Sequence, residues 1–382
     1  MKRNLMAFVL IAMGFFALYA FTAQRGLGWG DSGEFQYRVL ACAGGITGGC
    51  ESFATAHPLY VAFAKAVART PCQVTLVSSL FGALAVGGFF LCTRRVALTV
   101  VFGLSHMLWW LSCLAEVQTM NLALTVFETA LLLRFLSSGR GIWLVGTLFL
   151  SGVHLACHNF ALLALPVYGV LLLRSGWRTL VAGGIAWAAG ASFWLQALAT
   201  RGVADVLVGR FGGAVTGLVP ANWTATGFNL ALAALSFVAP ASIAWWNRRT
   251  EPEDRRRDVR WTLWSLLAVN ALFFIRYFVP DQATFLLPTL FFAFLLVSAY
   301  ETRRDRAIAL AVMQVLLPIL AYEVLVQLPV PEGRQPHPHR NDAKYFALPW
   351  KFDDDSADRY AAELGGRWNG YPGCSQEGGR TK

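Results

Sequence analysis

Residues 73–92 have the sequence QVTLVSSLFGALAVGGFFLC, which contains no charged side chain. A helix of about 20 apolar residues is long enough to cross the hydrocarbon core of a bilayer, which is ~30 Å thick. Arg94 and Arg95 follow almost directly, and basic residues are enriched at the cytoplasmic ends of such helices. This stretch therefore predicts a transmembrane helix.

The rest of the 382-residue chain has the same character. Hydrophobic residues make up 56% of it and charged residues 14%, against about 25% charged residues in soluble proteins. This composition excludes a soluble globular protein, a disordered chain and a small disulfide-rich protein. We predict an all-α polytopic membrane protein with about eleven transmembrane helices. The predicted spans are 5–23, 73–92, 96–114, 117–136, 141–157, 160–173, 179–198, 225–246, 261–276, 283–300 and 307–326.

The net charge of +10 is explained by membrane topology. If the N-terminus is cytoplasmic, 17 of the 32 Lys and Arg residues lie in inside segments and 7 lie in outer segments before the tail. This asymmetry follows the positive-inside rule, so we expect no nucleic-acid partner. Residues 1–23 also resemble a secretory signal, but their apolar run is longer than the ~7–15 residues of a signal core. We favour an uncleaved first helix.

The topology divides the chain into two parts. Residues 1–326 form the predicted transmembrane domain, which includes a long outer loop, 24–72. Residues 327–382 form a short outer tail, interpreted as a polar lid or cap without an assigned mechanism. Within the outer loop, residues 61–69, which follow His57-Pro58-Leu59-Tyr60, predict an amphipathic helix lying at the membrane surface.

Two carboxylates open the outer loop. Asp31 and Glu34 are three residues apart and lie on one face if this segment is helical. One interpretation is a pair that performs acid–base chemistry; the other is a solvated helix cap at Asp31 or Ser32.

The loop also carries two cysteines, Cys42 and Cys50, that predict a disulfide because an outer loop is exposed to an oxidising compartment. Cys72 is a competing partner, and buried thiols are the alternative.

Two ionisable residues lie deep in predicted spans. His106 and Glu128 fall at similar depth in consecutive spans, and we expect each to hydrogen-bond the other or a neighbouring helix. His154 and His158 are four residues apart, but no third metal ligand is evident. We therefore predict no metal and no cofactor, although a divalent metal is left open, and assign the two histidines to packing or substrate hydrogen bonds.

Five motifs in order resemble those of a family of GT-C membrane glycosyltransferases that includes the transmembrane O-mannosyltransferases and related bacterial proteins. The first is Gly30-Asp31-Ser32-Gly33-Glu34-Phe35 after the first span, and the second is His57-Pro58-Leu59-Tyr60. The others are Trp109-Trp110…Glu116-Val117-Gln118-Thr119-Met120-Asn121, Gly152…His158-Asn159…Leu165-Pro166 and Tyr277…Pro280-Asp281…Leu287-Pro288. Gln118 stands where the family has Tyr.

The resemblance implies a GT-C-like fold and transfer of a sugar, with mannose as one candidate, from a polyprenyl-phosphate donor. The acceptor would be a hydroxyl on a protein Ser or Thr, a glycan or a lipid. We expect the active site and the C-terminus on the outer face of a bacterial plasma membrane, in contact with its lipids. The rival interpretations are a transporter or flippase of lipid-linked saccharides and a non-catalytic protein that binds prenyl phosphates.

The resemblance also places the catalytic carboxylate at Asp31, in the outer loop 24–72. A single base opposite the phosphate leaving group implies inversion at the anomeric carbon. Glu34 is the second catalytic candidate, as an orienting or acceptor-binding group. The predicted donor-binding residues are His57, Arg38, Glu116, His158, Asn159, Arg276, Tyr277 and Asp281. Among the basic candidates for the phosphate, Arg276 is preferred because it lies beside Tyr277 and near Asp281.

Overall fold

The structure is a computed structural model of the chain. It describes residues 2–26, 28, 31–40, 53–209, 223–249, 257–277, 282–300, 302–329 and 343–352. Every regular element within these ranges is helical. The predicted all-α class is confirmed.

Sixteen α-helices are described in chain order. The first eight are α1 (Lys2–Thr22), α2 (Asp31–Leu40), α3 (Phe53–Ala56), α4 (Pro58–Val67), α5 (Pro71–Thr93), α6 (Val96–Gly103), α7 (His106–Ser112) and α8 (Gln118–Ser138). The others are α9 (Gly141–His154), α10 (Leu165–Arg174), α11 (Trp177–Gly190), α12 (Ser192–Arg201), α13 (Trp223–Trp246), α14 (Arg257–Arg276), α15 (Leu287–Val297) and α16 (Arg304–Gln327). Short 3₁₀ turns, Asn159–Ala164 and Gln282–Leu286, lead into α10 and α15.

Six of the described helices are long and apolar enough to cross a membrane: α1, α5, α8, α13, α14 and α16. A seventh span is formed if α11 and α12, which meet at a bend of 65°, are counted together. The other four predicted spans coincide with shorter or broken helices. For example, the 14-residue α9 is only about 21 Å long, and 96–114 is interrupted between α6 and α7 at Leu104 and Ser105. The chain is a multi-pass membrane protein, and the number eleven stays a prediction.

Helix α5 lies at the centre of the core, packed against α1, α7 and α8. Small residues allow this close approach, because a Cβ on Gly82 would lie 2.0 Å from the Ser112 hydroxyl and one on Gly88 would lie 2.6 Å from a methyl of Val126. Close contact at small residues is a usual means of holding membrane helices together, since lipid gives them no hydrophobic driving force.

The described parts of the predicted outer loop fold onto the end of α5. Gln36 of α2 is fully buried; its side chain accepts from the Gly28 amide at 2.7 Å and donates to the carbonyls of Gly26 and Pro71 at 3.1 Å each. The helix predicted over 61–69 is present as part of α4, which begins three residues earlier at Pro58 and ends at Val67; its place at the membrane surface stays a prediction. These bonds fix α2, with Asp31 and Glu34 in its first turn, against the membrane helices.

Part of the C-terminal tail packs onto the same end of the molecule. The Trp110 indole donates to the Tyr345 carbonyl at 2.9 Å, and the Lys351 amide donates to the Thr22 carbonyl at 2.7 Å. The Lys351 side chain is 2% exposed and its ammonium donates to the carbonyls of Tyr345 and Leu348. Residues 343–352 are thus docked on α1 and α7.

The deep ionisable residues do not pair as His106 with Glu128. Glu128 accepts from His154 of α9 at 2.7 Å and from the Tyr168 hydroxyl of α10 at 3.0 Å, so the alternative of a neighbouring helix is confirmed for it. His106 instead stacks on Trp110, with ring centroids 6.2 Å apart. Equal depth was not sufficient, because the partner of a side chain also depends on which face of its helix it occupies.

Cysteines differ between the two ends of α5. Cys72, at the end that carries the outer loop, is in a disulfide, whereas Cys92 near the other end is a thiol, as are Cys113 and Cys157. Cys42 and Cys50 lie outside the described residues, so their bridge stays a prediction. The sequence analysis named Cys72 as a competing disulfide partner, and its disulfide agrees with that alternative.

Alkylation without reduction tests this arrangement. In denatured, unreduced protein we expect an alkylating reagent to modify Cys92, Cys113 and Cys157 and to leave Cys72 unmodified until a reductant is added, because a disulfide has no thiolate to react. Peptide mass analysis of the unreduced protein identifies the partner of Cys72. Modification of Cys72 before reduction would contradict the prediction and remove a reason for placing this end of α5 in an oxidising compartment.

Candidate functional site

A cleft of about 640 Å³, part of it open to solvent, lies where the outer loop meets the ends of the membrane helices. Its polar walls come from α2, from the turns that precede α4 and α8, from the turn after α9 and from the end of α14. The lining residues are Asp31, Glu34, Phe35, Arg38, Ala54, Thr55, His57, Glu116, Val117, Gln118, His158, Tyr277 and Phe285. Seven of the ten predicted site residues are among them.

The two carboxylates of α2 have different surroundings. Asp31 is exposed at the first position of the helix, where the helix dipole stabilises negative charge. Glu34 is half-buried and lies 3.4 Å from the Nε atom of Arg38. The ion pair holds Glu34 in one place, while Asp31 stands at the solvent-exposed edge of the cleft.

Among the described residues that line the cleft, one is a Lys or Arg, namely Arg38. It is 8% exposed, donates through Nη1 to the Thr55 carbonyl at 2.6 Å and lies 5.4 Å from the centroid of the Phe35 ring. These contacts fix one edge of the guanidinium, which has five N–H donors in a planar fork. The arrangement suits an anion such as phosphate.

His57 has a left-handed backbone, with φ 46° and ψ 57°. This conformation is uncommon for a residue other than glycine, and such strain clusters at functional sites. Its Nδ1 lies 2.9 Å from the Cys157 carbonyl. Because a carbonyl only accepts, Nδ1 carries the proton in this bond. The next turn of the chain is held by a bond from the Leu59 amide to the Ala156 carbonyl at 2.9 Å.

His158 lies against His57, with ring centroids 4.8 Å apart. Burial lowers the pKa of His158 well below its ordinary value, and the nearby His57 and His154 lower the pKa further. Its Nδ1 accepts from the Phe160 amide at 3.2 Å. His158 is therefore a neutral ring at neutral pH, and its predicted part in donor binding stays a prediction.

Glu116 is held by its backbone. The Ser78 hydroxyl donates to the Glu116 carbonyl at 2.9 Å and accepts from the Glu116 amide at 2.8 Å. Ser78 is in turn within 3.0 Å of the Tyr60 hydroxyl. This clamp joins α4, α5 and the turn before α8, and it presents the Glu116 side chain to the cleft.

Three predicted residues do not line the described cleft. Asn159 braces the wall from behind, since its amide donates to the Val206 carbonyl at 2.7 Å and accepts from the Trp194 indole at 3.0 Å. Arg276 is exposed at the end of α14 and does not line this cleft, whereas Arg38 does; the phosphate role of Arg276 stays a prediction. Asp281 lies outside the described residues.

Several lining residues were not among the predicted site residues. Gln118 entered the sequence analysis only as a departure from the family motif, although its position beside Glu116 was a usable signal. Thr55, Phe35 and Phe285 have no sequence signal of their own, since an isolated threonine or phenylalanine is common everywhere. Within the described ranges no cluster of three or more metal-ligating side chains is present, and the absence of a metal stays a prediction.

Comparison with known proteins shows the fold. No protein-family model matches the chain, and no curated protein sequence is similar to it. Two solved structures are similar: the crystal structures of ArnT from Cupriavidus metallidurans bound to undecaprenyl phosphate and in the apo state. The first has a TM-score of 0.58 at 18% identity over 90% of this chain and 69% of ArnT, and the second 0.56 at 17% over 89% and 68%. The GT-C-like fold predicted from the motifs is thereby confirmed.

Proposed function

We propose that this chain is a membrane glycosyltransferase that moves a sugar from a polyprenyl-phosphate donor to an acceptor hydroxyl on the outer face of the membrane. The observation that carries the proposal is the cleft, in which residues from five distant parts of the sequence meet: Asp31, Glu34, Arg38, His57, Glu116, His158 and Tyr277. The similarity of the fold to ArnT, which was crystallised with undecaprenyl phosphate, supports a lipid phosphate as the leaving group.

The reaction needs one base and one phosphate ligand. The acceptor oxygen attacks the anomeric carbon, the bond from that carbon to the phosphate oxygen breaks, and polyprenyl phosphate leaves with both bonding electrons. The acceptor proton passes to a carboxylate within ~2.6–3.2 Å of the oxygen. Attack opposite the leaving group inverts the anomeric configuration.

Asp31 is the base in this proposal. Glu34 is held in an ion pair with Arg38 at 3.4 Å, so its carboxylate faces the guanidinium. Asp31 is the exposed member of the pair at the helix start. Glu34 then orients Arg38, which binds the phosphate.

The proposed orientation places the cleft outside. The disulfide of Cys72 lies at the cleft end of α5, and Arg94 and Arg95 follow its other end. Disulfides persist in oxidising compartments and basic residues concentrate on the cytoplasmic side. Both features favour a cleft that faces the outside of a plasma membrane.

Removing the Arg38 charge is expected to weaken binding of the lipid phosphate. Arg38→Gln should lower the affinity for polyprenyl phosphate roughly ten- to hundredfold, since a hydrogen bond to a charged group contributes about 1.5–3 kcal/mol. The affinity is measured on purified protein by titration with polyprenyl phosphate.

Arg69→Gln is the matched control for this measurement. Arg69 belongs to the same outer loop, but it is exposed and does not line the cleft, so its replacement should leave the affinity unchanged. Equal affinity of the Arg38→Gln variant and the unmodified protein would remove Arg38 as the phosphate ligand.

The activity itself is tested with a panel of labelled polyprenyl-phosphate sugars, mannose among them. We expect one donor to be hydrolysed or transferred by the purified protein, with the product identified by mass. Protein, glycan and lipid acceptors are offered in turn. Movement of intact lipid-linked saccharide across a vesicle membrane without cleavage of any donor would instead support the transporter interpretation.

A further inference from the structure

A chain of buried polar side chains connects the cleft with the interior of the membrane domain. Gln118, Asn121 and Glu128 lie on α8, and His154 ends α9. The distances are 3.4 Å from His158 Nε2 to the Gln118 amide, 3.1 Å from Gln118 to Asn121, 2.6 Å from Asn121 to His154 Nε2 and 2.7 Å from His154 Nδ1 to Glu128. Along α8 the chain covers about 15 Å.

The direction of the first bond follows from His158. Its Nδ1 accepts from the Phe160 amide, and a neutral imidazole has one protonated and one unprotonated nitrogen. Nε2 therefore carries the proton and needs an acceptor. If the Gln118 side chain presents its NH₂ group to His158 Nε2, two donors meet. Rotating the amide by 180° puts its oxygen at the same position and resolves the conflict.

The donor and the acceptor of each remaining bond follow from this rotation. The Gln118 nitrogen now faces Asn121 and needs an oxygen, so the Asn121 amide is rotated in the same way. The Asn121 nitrogen donates to His154 Nε2, and His154 Nδ1 donates to Glu128. The second Glu128 oxygen accepts from Tyr168 at 3.0 Å. All donors in the chain then point toward the carboxylate, and each of these bonds pairs one donor with one acceptor.

The opposite direction fails at His158. It would require a doubly protonated His154 that donates to the Asn121 oxygen. The Asn121 nitrogen would then donate to the Gln118 oxygen, and the Gln118 nitrogen would donate to His158. Both nitrogens of His158 would then accept a hydrogen bond, which a neutral or a cationic imidazole cannot do. The Phe160 amide thus determines the direction of the whole chain.

This direction decides which atom Gln118 shows to the cleft. His158 lines the cleft, while Asn121 is 1% exposed and lies behind it. The end of the amide beside His158, which is the oxygen, is therefore on the cleft side. A carbonyl oxygen has two lone pairs, and His158 uses one. The other lone pair accepts a hydroxyl, and it repels a phosphate oxygen.

We propose that Gln118 binds a hydroxyl group of the donor sugar through its amide oxygen, and that Asn121, His154 and Glu128 are positioning residues that fix this orientation. The proposal rests on the proposed function only in that the ligand is a sugar. It adds a specificity-determining contact on the sugar side of the cleft, opposite in chemistry to the phosphate contact of Arg38.

The orientation is tested without any substrate. ¹⁵N NMR of the unmodified protein labelled at histidine reports which ring nitrogens are protonated, with signals assigned by His154→Asn and His158→Asn. We expect a neutral His154 protonated at Nδ1 and His158 protonated at Nε2. A doubly protonated His154 at neutral pH, or a His158 unprotonated at Nε2, would overturn the proposal even if the protein proves to be a glycosyltransferase.

The contact is tested with two ligands, bare polyprenyl phosphate and the sugar-bearing donor that the panel identifies. Gln118→Met keeps the side-chain length and removes the oxygen. It should therefore lower the affinity for the sugar-bearing lipid roughly three- to tenfold and leave the affinity for the bare lipid unchanged. Gln196→Met, on the exposed face of α12, is the matched control.

A double-mutant cycle separates positioning from general stability. In the parent protein, His154→Leu should lower the affinity for the sugar-bearing lipid. In the Gln118→Met background it should have no further effect on that affinity, because the Gln118 oxygen that His154 positions is already absent. Equal effects in both backgrounds, or a loss of bare-lipid affinity in Gln118→Met, would contradict the proposal. If no donor reacts, the proposed function fails, and the NMR result alone decides the orientation of Gln118.

Discussion

Asp31→Asn is expected to reduce sugar transfer by about 10²–10⁴-fold while the protein still binds polyprenyl phosphate with unchanged affinity. The substitution keeps the size of the side chain and removes its basicity, and general-base catalysis contributes rate enhancements of this order. The Arg38 guanidinium, which binds the leaving phosphate in our proposal, is untouched. The measurement is the single-turnover rate of transfer at saturating donor, together with the affinity for bare lipid.

Two further variants make the result interpretable. Asp305→Asn replaces an exposed carboxylate at the start of α16 that pairs with Arg303 and lies outside the cleft, and it should transfer sugar at the parent rate. Glu34→Gln should weaken binding of the lipid phosphate, because Arg38 loses the carboxylate at 3.4 Å that orients it. Near-parent transfer by Asp31→Asn would show that another group is the base.

Gly190→Ala is expected to lower the free energy of unfolding by about 3 kcal/mol, because it forces apart two helices that touch through their backbones. A Cβ at Gly190 of α11 would lie 2.2 Å from the Phe149 carbonyl oxygen of α9. No side-chain rotation relieves a contact with backbone. The same holds from the other helix, because a Cβ at Gly152 of α9 would lie 2.4 Å from the Trp187 carbonyl oxygen of α11. Unfolding is measured in detergent by denaturant titration.

Gly184→Ala on the same helix is the matched control. A Cβ at Gly184 meets nothing within 4 Å, so alanine there should be neutral or stabilise by up to about 1 kcal/mol through its higher helix propensity. Since α9 carries His154 and leads into His158, Gly190→Ala should also weaken binding at the cleft. Equal stability of the two variants would mean that α9 and α11 adjust easily to a larger separation.

Much of the architecture was predictable because it depends on local properties of the chain. Each of the eleven apolar segments coincides with a described helix or a pair of helices, since burial in lipid requires apolar side chains over a fixed length. The position of the candidate site was also predictable in part. Glu116 and His158 lie next to the ends of predicted spans, and Asp31 and His57 lie in the loop predicted between the first two spans. Segments that leave the membrane on one side bring their residues into one layer.

The pairing of side chains within that layer was not predictable. A sequence gives the depth of a residue along a helix, but the face on which it lies relative to its neighbours depends on how the helix is rotated about its axis. Glu128 therefore meets His154 and Tyr168 and not His106. For the same reason Arg38, and not Arg276, lies in the cleft.

The sequence by itself determined that this protein is helical and membrane-spanning, which end of each helix is basic, and which segments between the helices carry ionisable groups. Charge and hydrophobicity act residue by residue, so they can be assigned without a structure. Only the tertiary structure decided that Glu34 pairs with Arg38, that residues 343–352 dock on α1 and α7, and that Gln118 joins the cleft to Glu128. These contacts join residues distant in sequence or depend on side-chain directions set by packing, and packing at close range is a property of the whole fold.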